Sequence, residues 1–194
     1  MVPGERGASG ATIVRGTGGF TLIELLVAIA VMAIVLVAGV PGFQALVNGN
    51  RLAASSNEMI ANLQTARMEA IRRNRRVVVC ASANANAGTS ASCANASIDG
   101  WITFVDEDRS NAFNAGDTLL RNSRVDGNVE VAGPATVVFR SDGLARDASG
   151  DPLDDSVRIW IDSSQPSSNV RCVDIRTSGA VGVRTPAGHG AACG

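Results

Sequence analysis

Tyrosine and lysine are both absent from this chain, and histidine occurs once, at His189. Five phenylalanines and two tryptophans are the whole aromatic stock, too little for the stacking platforms that hold single-stranded nucleic acid. The 17 basic residues, all arginine, are offset by 18 acidic ones for a formal charge of −1. That balance excludes the strongly basic footprint of a general nucleic-acid binder. A lone histidine with no C-x-x-C pair leaves zinc without its usual ligands. There is also no G-x-S-x-G elbow and no Walker glycine loop, so no catalytic residue, cofactor or metal is assigned and an enzyme is not expected.

What the chain does have is one long apolar run and four cysteines. Its 194 residues suffice for one folded domain with an appendage. Cys80, Cys93, Cys172 and Cys193 allow three pairings. Pairing neighbours in sequence, Cys80 with Cys93 and Cys172 with Cys193, is favoured because each bridge closes a short loop rich in Gly, Ala, Ser or Asn. The other pairings stay open at this level. Two disulfides require an oxidising compartment.

The apolar run extends from Phe20 to Val40, about 31 Å as a helix, which matches a hydrocarbon core of about 30 Å. Before it, Arg6 and Arg15 outweigh Glu5, so positive-inside logic keeps residues 1–19 in the cytoplasm and sends the rest outward. A cleavable secretory signal is the rival reading, since small residues at 37–39 offer a cut near Val40. Its apolar region is expected to be only about 7–15 residues long and free of acid. This run is longer and carries Glu24. A carboxylate at membrane depth costs about 2.5–3.5 kcal/mol at mid-helix, so it needs a partner or an interfacial position.

The stretch "GGFTLIELLVAIAVMAIVLVAGVP" resembles the class III signal of type IV pilins and type II secretion pseudopilins. That resemblance implies cleavage between Gly19 and Phe20 by a prepilin peptidase, methylation of the new amino terminus, and a Glu24 that meets the Phe20 amine of a neighbouring subunit in a fibre. Pro41 lacks an amide donor and clashes with the preceding turn, so a kink or local melting is expected there.

Beyond Pro41 helical periodicity resumes. Leu46, Leu52, Met59, Leu63, Ala66, Ala70 and Ile71, with Ile60 beside them, form one apolar stripe to be buried against the following domain. Glu69 and Arg73 are a favourable i,i+4 pair worth about 0.2–0.5 kcal/mol. After Asn74 the pattern becomes short β-like runs at 76–80, 101–105, 118–121, 128–131, 136–140, 157–161 and 170–176, separated by turn signals such as "SDG" and "TSG". The low-complexity segment 81–97 reads as an exposed loop tethered by a Cys80 to Cys93 bridge.

Four fragments in order, "NLQTARMEAIRRNRRVVVC", "DGWITFVDED", "VVFRSDGLA" and "RCVDIRTSGAV", are similar to the GspH/FimT family of minor pilins and pseudopilins. The fold implied is α+β and type IV pilin-like: a long N-terminal helix, transmembrane in its first half, packed against a C-terminal antiparallel β-rich head. The organisation implied is a leader at 1–19, a transmembrane helix at 20–41, a periplasmic amphipathic helix at 42–75 and a globular head at 76–194. The function implied is that of a structural subunit that initiates or caps a type IV pilus or secretion pseudopilus. Its partners are other minor and major pilins or pseudopilins, the prepilin peptidase, an inner-membrane assembly platform and inner-membrane lipid.

Nucleic acid is the alternative partner, in a minor pilin that takes up DNA. Arg72, Arg73, Arg75, Arg76 and Arg184 are the candidate phosphate contacts. Some FimT-type members carry a C-terminal Gly-Arg-x-Arg element, but here the slot reads Gly179, Ala180, Val181, Gly182, which weakens that reading. The plainer account of the arginine run is a solvated helix end where cations favour the dipole. "DEDRSNAFNAGD" (106–117) has calcium-like oxygen density but not the EF-hand register, and is read as a hairpin loop.

Overall fold

The computed structural model describes residues 19–95 and 98–194. The basic leader, residues 1–18, and Ala96 and Ser97 of the low-complexity segment lie outside the described residues. The chain forms two compact units, one ending at Val40 and the other spanning Pro41–Gly194.

In the first unit, helix α1 (Leu22–Arg73) begins on a side-chain cap from Thr21. The Glu24 amide donates to the Thr21 hydroxyl at 3.2 Å, and the Leu25 amide to the Thr21 carbonyl at 3.1 Å. This threonine-x-x-glutamate start satisfies one orphan donor of the first turn, the Glu24 amide, and sets the acid beside the positive end of the helix dipole. Leu22, Ile23, Leu25, Leu26, Val27 and Ile29 are all exposed. The helix is long and apolar enough to cross a membrane. Residues 39–43 are helical throughout, so the local melting expected at Pro41 does not occur.

In the second unit α1 turns amphipathic and packs under two antiparallel sheets. The strands are β1 (Val77–Ser82), β2 (Gly100–Val105), β3 (Thr118–Arg124), β4 (Glu130–Ala132), β5 (Thr136–Phe139), β6 (Ala145–Arg146), β7 (Asp155–Trp160), β8 (Val170–Ile175) and β9 (Val181–Arg184). One sheet runs β3-β2-β1-β5-β6 and the other β4-β7-β8-β9. Leu52, Met59, Leu63, Ala66 and Ala70 meet Val77, Val79, Phe139, Val157, Ile159, Val173 and Ile175 in one core. Each large aliphatic buried there contributes about 1.5–3 kcal/mol before entropy is subtracted. Leu46 and Ile71 are corrections to the expected stripe: both are more than half exposed.

The helix ends on Asn74, whose φ of 52° is the left-handed cap conformation. The Arg75 amide reaches the Ala70 carbonyl at 3.1 Å and the Asn74 amide the Ile71 carbonyl at 3.3 Å. Polar cross-links then fix the helix on the sheets. The Asn48 amide donates to the Gln165 carbonyl at 2.8 Å, and Glu58 pairs with Arg121 at 2.7 Å. Fully buried Asn62 donates to the Ser123 hydroxyl at 2.6 Å and accepts from Thr103 at 3.2 Å. Arg67 donates to the Gly179 carbonyl at 3.0 Å. Gly179 itself has φ +76°, and a Cβ there would collide with the Gly143 carbonyl, so this close approach needs glycine.

β1 and β2 are buried on both faces. Val78, Cys80, Ile102, Phe104 and Val138 point away from the helix and are covered by Ala85 and Ala91. The segment read as an exposed loop is therefore in part a cover. It contains a 3-10 helix at Ala85–Ser90, and Asn84 staples it through bonds to Ser82, Ser90 and Ser92. A disulfide joins Cys80 on the covered face to Cys93 at the cover's far end. The other disulfide, Cys172–Cys193, ties the C-terminal tail to β8.

Candidate functional site

Two sets of residues carry the functional expectations, one at the start of α1 and one at its end. At the start, Gly19 and Phe20 precede the helix, Phe20 is largely exposed, and Glu24 occupies the first turn. Thr21 was not singled out from the sequence, although its spacing from Glu24 is the signal of a capping box. The carboxylate thus sits at the helix end, where insertion is least costly.

At the other end the arginine run is already engaged. Glu69 takes Arg72 and Arg73, each at 2.6 Å. Hydrogen bonding from Arg72, then from Arg73, holds the Glu69 carboxyl below its ordinary range, and Glu69 in turn raises Arg72. Arg75 pairs with Glu107 and Arg76 with Asp106, both at 3.1 Å, and Arg76 also donates to Asn111. Burial of the Asp106 side chain pushes its pKa up, against the Asn111 amide and the Arg76 charge that pull it down.

The structure does not bring Arg184 to this group. Arg184 pairs with Asp174 at 3.0 Å, which raises its pKa, and donates to the Cys193 carbonyl. The cleft around it is lined by Asp154, Asp155 and Asp174 as well as Arg176. A phosphate contact by Arg72, Arg73, Arg75, Arg76 or Arg184 competes with a carboxylate already in place. The DNA alternative gains no support from this arrangement.

Loop 106–117 joins β2 to β3. Asp117 accepts from the Glu107 and Asn114 amides, Asp106 from Ser110 and Asn111, and Phe113 lies on Phe104 with ring centroids 5.2 Å apart. Carboxylate oxygens of Asp106, Asp108 and Asp117 lie within 4.8 Å of one another. They serve as caps for the loop's own amides. His189 holds the tail through its Nε2, which lies 2.9 Å from the Ser163 carbonyl and 3.2 Å from the Asn169 side-chain nitrogen.

A helix whose second half lies under two antiparallel sheets, with an apolar first half, defines the type IV pilin-like class. The chain belongs to the family described as Type II transport protein GspH, whose model matches residues 55–179; the prokaryotic N-terminal methylation motif matches residues 15–40. The crystal structure of the type IV minor pilin FimU from Pseudomonas aeruginosa is similar, with a TM-score of 0.51 at 18% identity over 72% of this chain and 95% of that one. The minor pseudopilin EpsH from the Type 2 Secretion System of Vibrio cholerae gives a TM-score of 0.49 at 11% identity, over 70% of this chain and 98% of that one. No curated protein matches the chain.

Proposed function

We propose that this minor pilin or pseudopilin acts from the bacterial inner membrane, with its head in the periplasm, and passes from lipid into a pilus or secretion pseudopilus. A prepilin peptidase cuts between Gly19 and Phe20, and the new amino terminus is methylated. Glu24 and the Phe20 amine of a neighbouring subunit then set the axial register between subunits. The apolar half of α1 moves from lipid to the fibre core, and the head supplies the surface that initiates or caps the fibre. The supporting observation is the methylation motif at residues 15–40 followed in the same chain by the GspH match at residues 55–179. The two disulfides of the head fit an oxidising space.

The test is mass spectrometry of the mature amino terminus together with fibre incorporation of Glu24→Ala. Methylated Phe20 is the expected terminus, and a terminus at Val40 would return the chain to a soluble secreted protein. Glu24→Ala is expected to insert in the membrane normally yet be missing from sheared fibres. Wild-type levels of the variant in fibres would remove Glu24 from assembly.

A further inference from the structure

The end of α1 and loop 106–117 enclose a cleft of about 360 Å³ whose charges do not cancel. Four arginines line it, Arg75, Arg76, Arg109 and Arg140, against two acids, Asp106 and Glu107. Both acids are spent. Asp106 faces Arg76 at 3.1 Å and accepts the Ser110 and Asn111 amides, while Glu107 faces Arg75 at 3.1 Å. Among the described residues Arg109 has no ion-pair or hydrogen-bond acceptor for its side chain. Arg140 has only a loose contact, Asp142 at 3.6 Å, with no hydrogen bond. Two guanidinium groups on one cleft therefore keep their donors free, and Ser141 lines the same cleft.

The backbone at Arg109 is an independent sign. Its φ of 62° is a left-handed conformation that non-glycine residues rarely adopt. The next residue fixes it there: the Ser110 amide is shared between Asp106 Oδ1 and Asp108 Oδ1, each at 3.0 Å. Such conformations persist where the surroundings over-determine them. Here the result is an arginine held on the wall of the cleft that Arg140 also lines.

We infer that this cleft binds a carboxylate carried by a partner protein, with Arg109 and Arg140 as the two guanidinium donors. A forked guanidinium matches a carboxylate in two parallel hydrogen bonds. A nucleic-acid strand fits less well. The cleft lining includes no aromatic side chain on which a base could stack. A partner can offer the group from an acidic side chain or from a chain terminus, and the probes must separate the two. The inference does not depend on membrane anchorage or on fibre register.

The experiment uses the full chain in detergent micelles and follows the arginine Nε–H resonances by NMR. One probe is a capped Gly-Asp-Glu-Asp-Gly peptide amide, a second is a capped glycine peptide with a free C-terminal carboxylate, and a neutral peptide amide is the control. Saturable shifts at Arg109 and Arg140 with either carboxylate probe, absent with the control, are expected. Arg109→Gln with Arg140→Gln should weaken binding about tenfold, the loss of two partly screened ion pairs. Arg72→Gln, outside the cleft, should leave it unchanged. Arg140→Gln alone, at an exposed position, provides the same test should the loop refold around residue 109. The proposal is overturned if neither carboxylate probe binds, if the double variant binds as tightly as the unaltered chain, or if a short single-stranded oligonucleotide binds more tightly than both.

Discussion

The two halves of α1 share one backbone conformation and present opposite surfaces. Residues 22–37 are exposed and apolar on every side apart from Glu24, whereas between Leu52 and Ala70 the buried aliphatic positions fall on one stripe. Helix formation is thus the part that both halves have in common. What differs is how polar residues are distributed around the axis, and that distribution selects the medium each half needs. The second half finds its medium within the chain, under two sheets. The first half has to find it in lipid or in other subunits.

The sharpest way to break this comparison is to truncate one leucine from each half. Leu63→Ala should cost the head about 2–5 kcal/mol, the range for a buried aliphatic that leaves a cavity. The measurement is urea unfolding read by the fluorescence of Trp101, itself buried beside that core. Leu26→Ala should leave the transition in place, and equal losses at the two positions would refute the division. Next in size is the bridge over the first sheet. Replacing Cys80 and Cys93 by alanine should remove about 2–4 kcal/mol and speed amide exchange in residues 84–94. Unchanged exchange there would mean that the cover holds without its tether.

Asn62→Ala comes third, at about 1–3 kcal/mol, because Thr103 and Ser123 lose a buried partner. A neutral result would mean that the polar bridge only occupies space. The smallest effect is electrostatic. Glu69 has a lowered pKa in the folded chain, so the stabilisation from its ionised form is present above the ordinary glutamate value and is lost as pH falls through the depressed one. Replacing Arg72 and Arg73 with glutamine should raise its midpoint in a carboxyl ¹³C titration. Asp106 runs the other way, already raised by burial, and Arg76→Gln should raise it further. A still Glu69 or a falling Asp106 would contradict the pairing geometry.

Much of the fold was legible because it rests on local periodicity. The β-like runs from 76–80 to 170–176 each overlap an observed strand, the run 128–131 only at its last two residues, and the helix stripe is correct at Leu52, Met59, Leu63, Ala66 and Ala70. β6 and β9 were missed for physical reasons. Ala145–Arg146 is too short to show alternation, and Val181–Arg184 is an edge strand, mostly exposed and interrupted by Gly182. The cover over β1 was misread because its burial comes from small alanines in a polar sequence, which carry no hydrophobic signal. The arginine run could not be judged from sequence, since Asp106 and Glu107 join it through folding from some thirty positions away. Arg109 gave no signal at all; its backbone angle and, among the described residues, the lack of an acceptor for its side chain emerge only from the fold.

The polar cross-links along the second half of α1 also have a mechanical meaning. Asn48, Glu58, Asn62 and Arg67 tie the helix to Gln165, Arg121, Ser123 and Gly179 at four levels along its length. A tug along the helix axis loads these ties together, in shear, instead of peeling them one after another. The head resists extraction from its helix as a lap joint resists pulling, by sharing the load over the whole overlap.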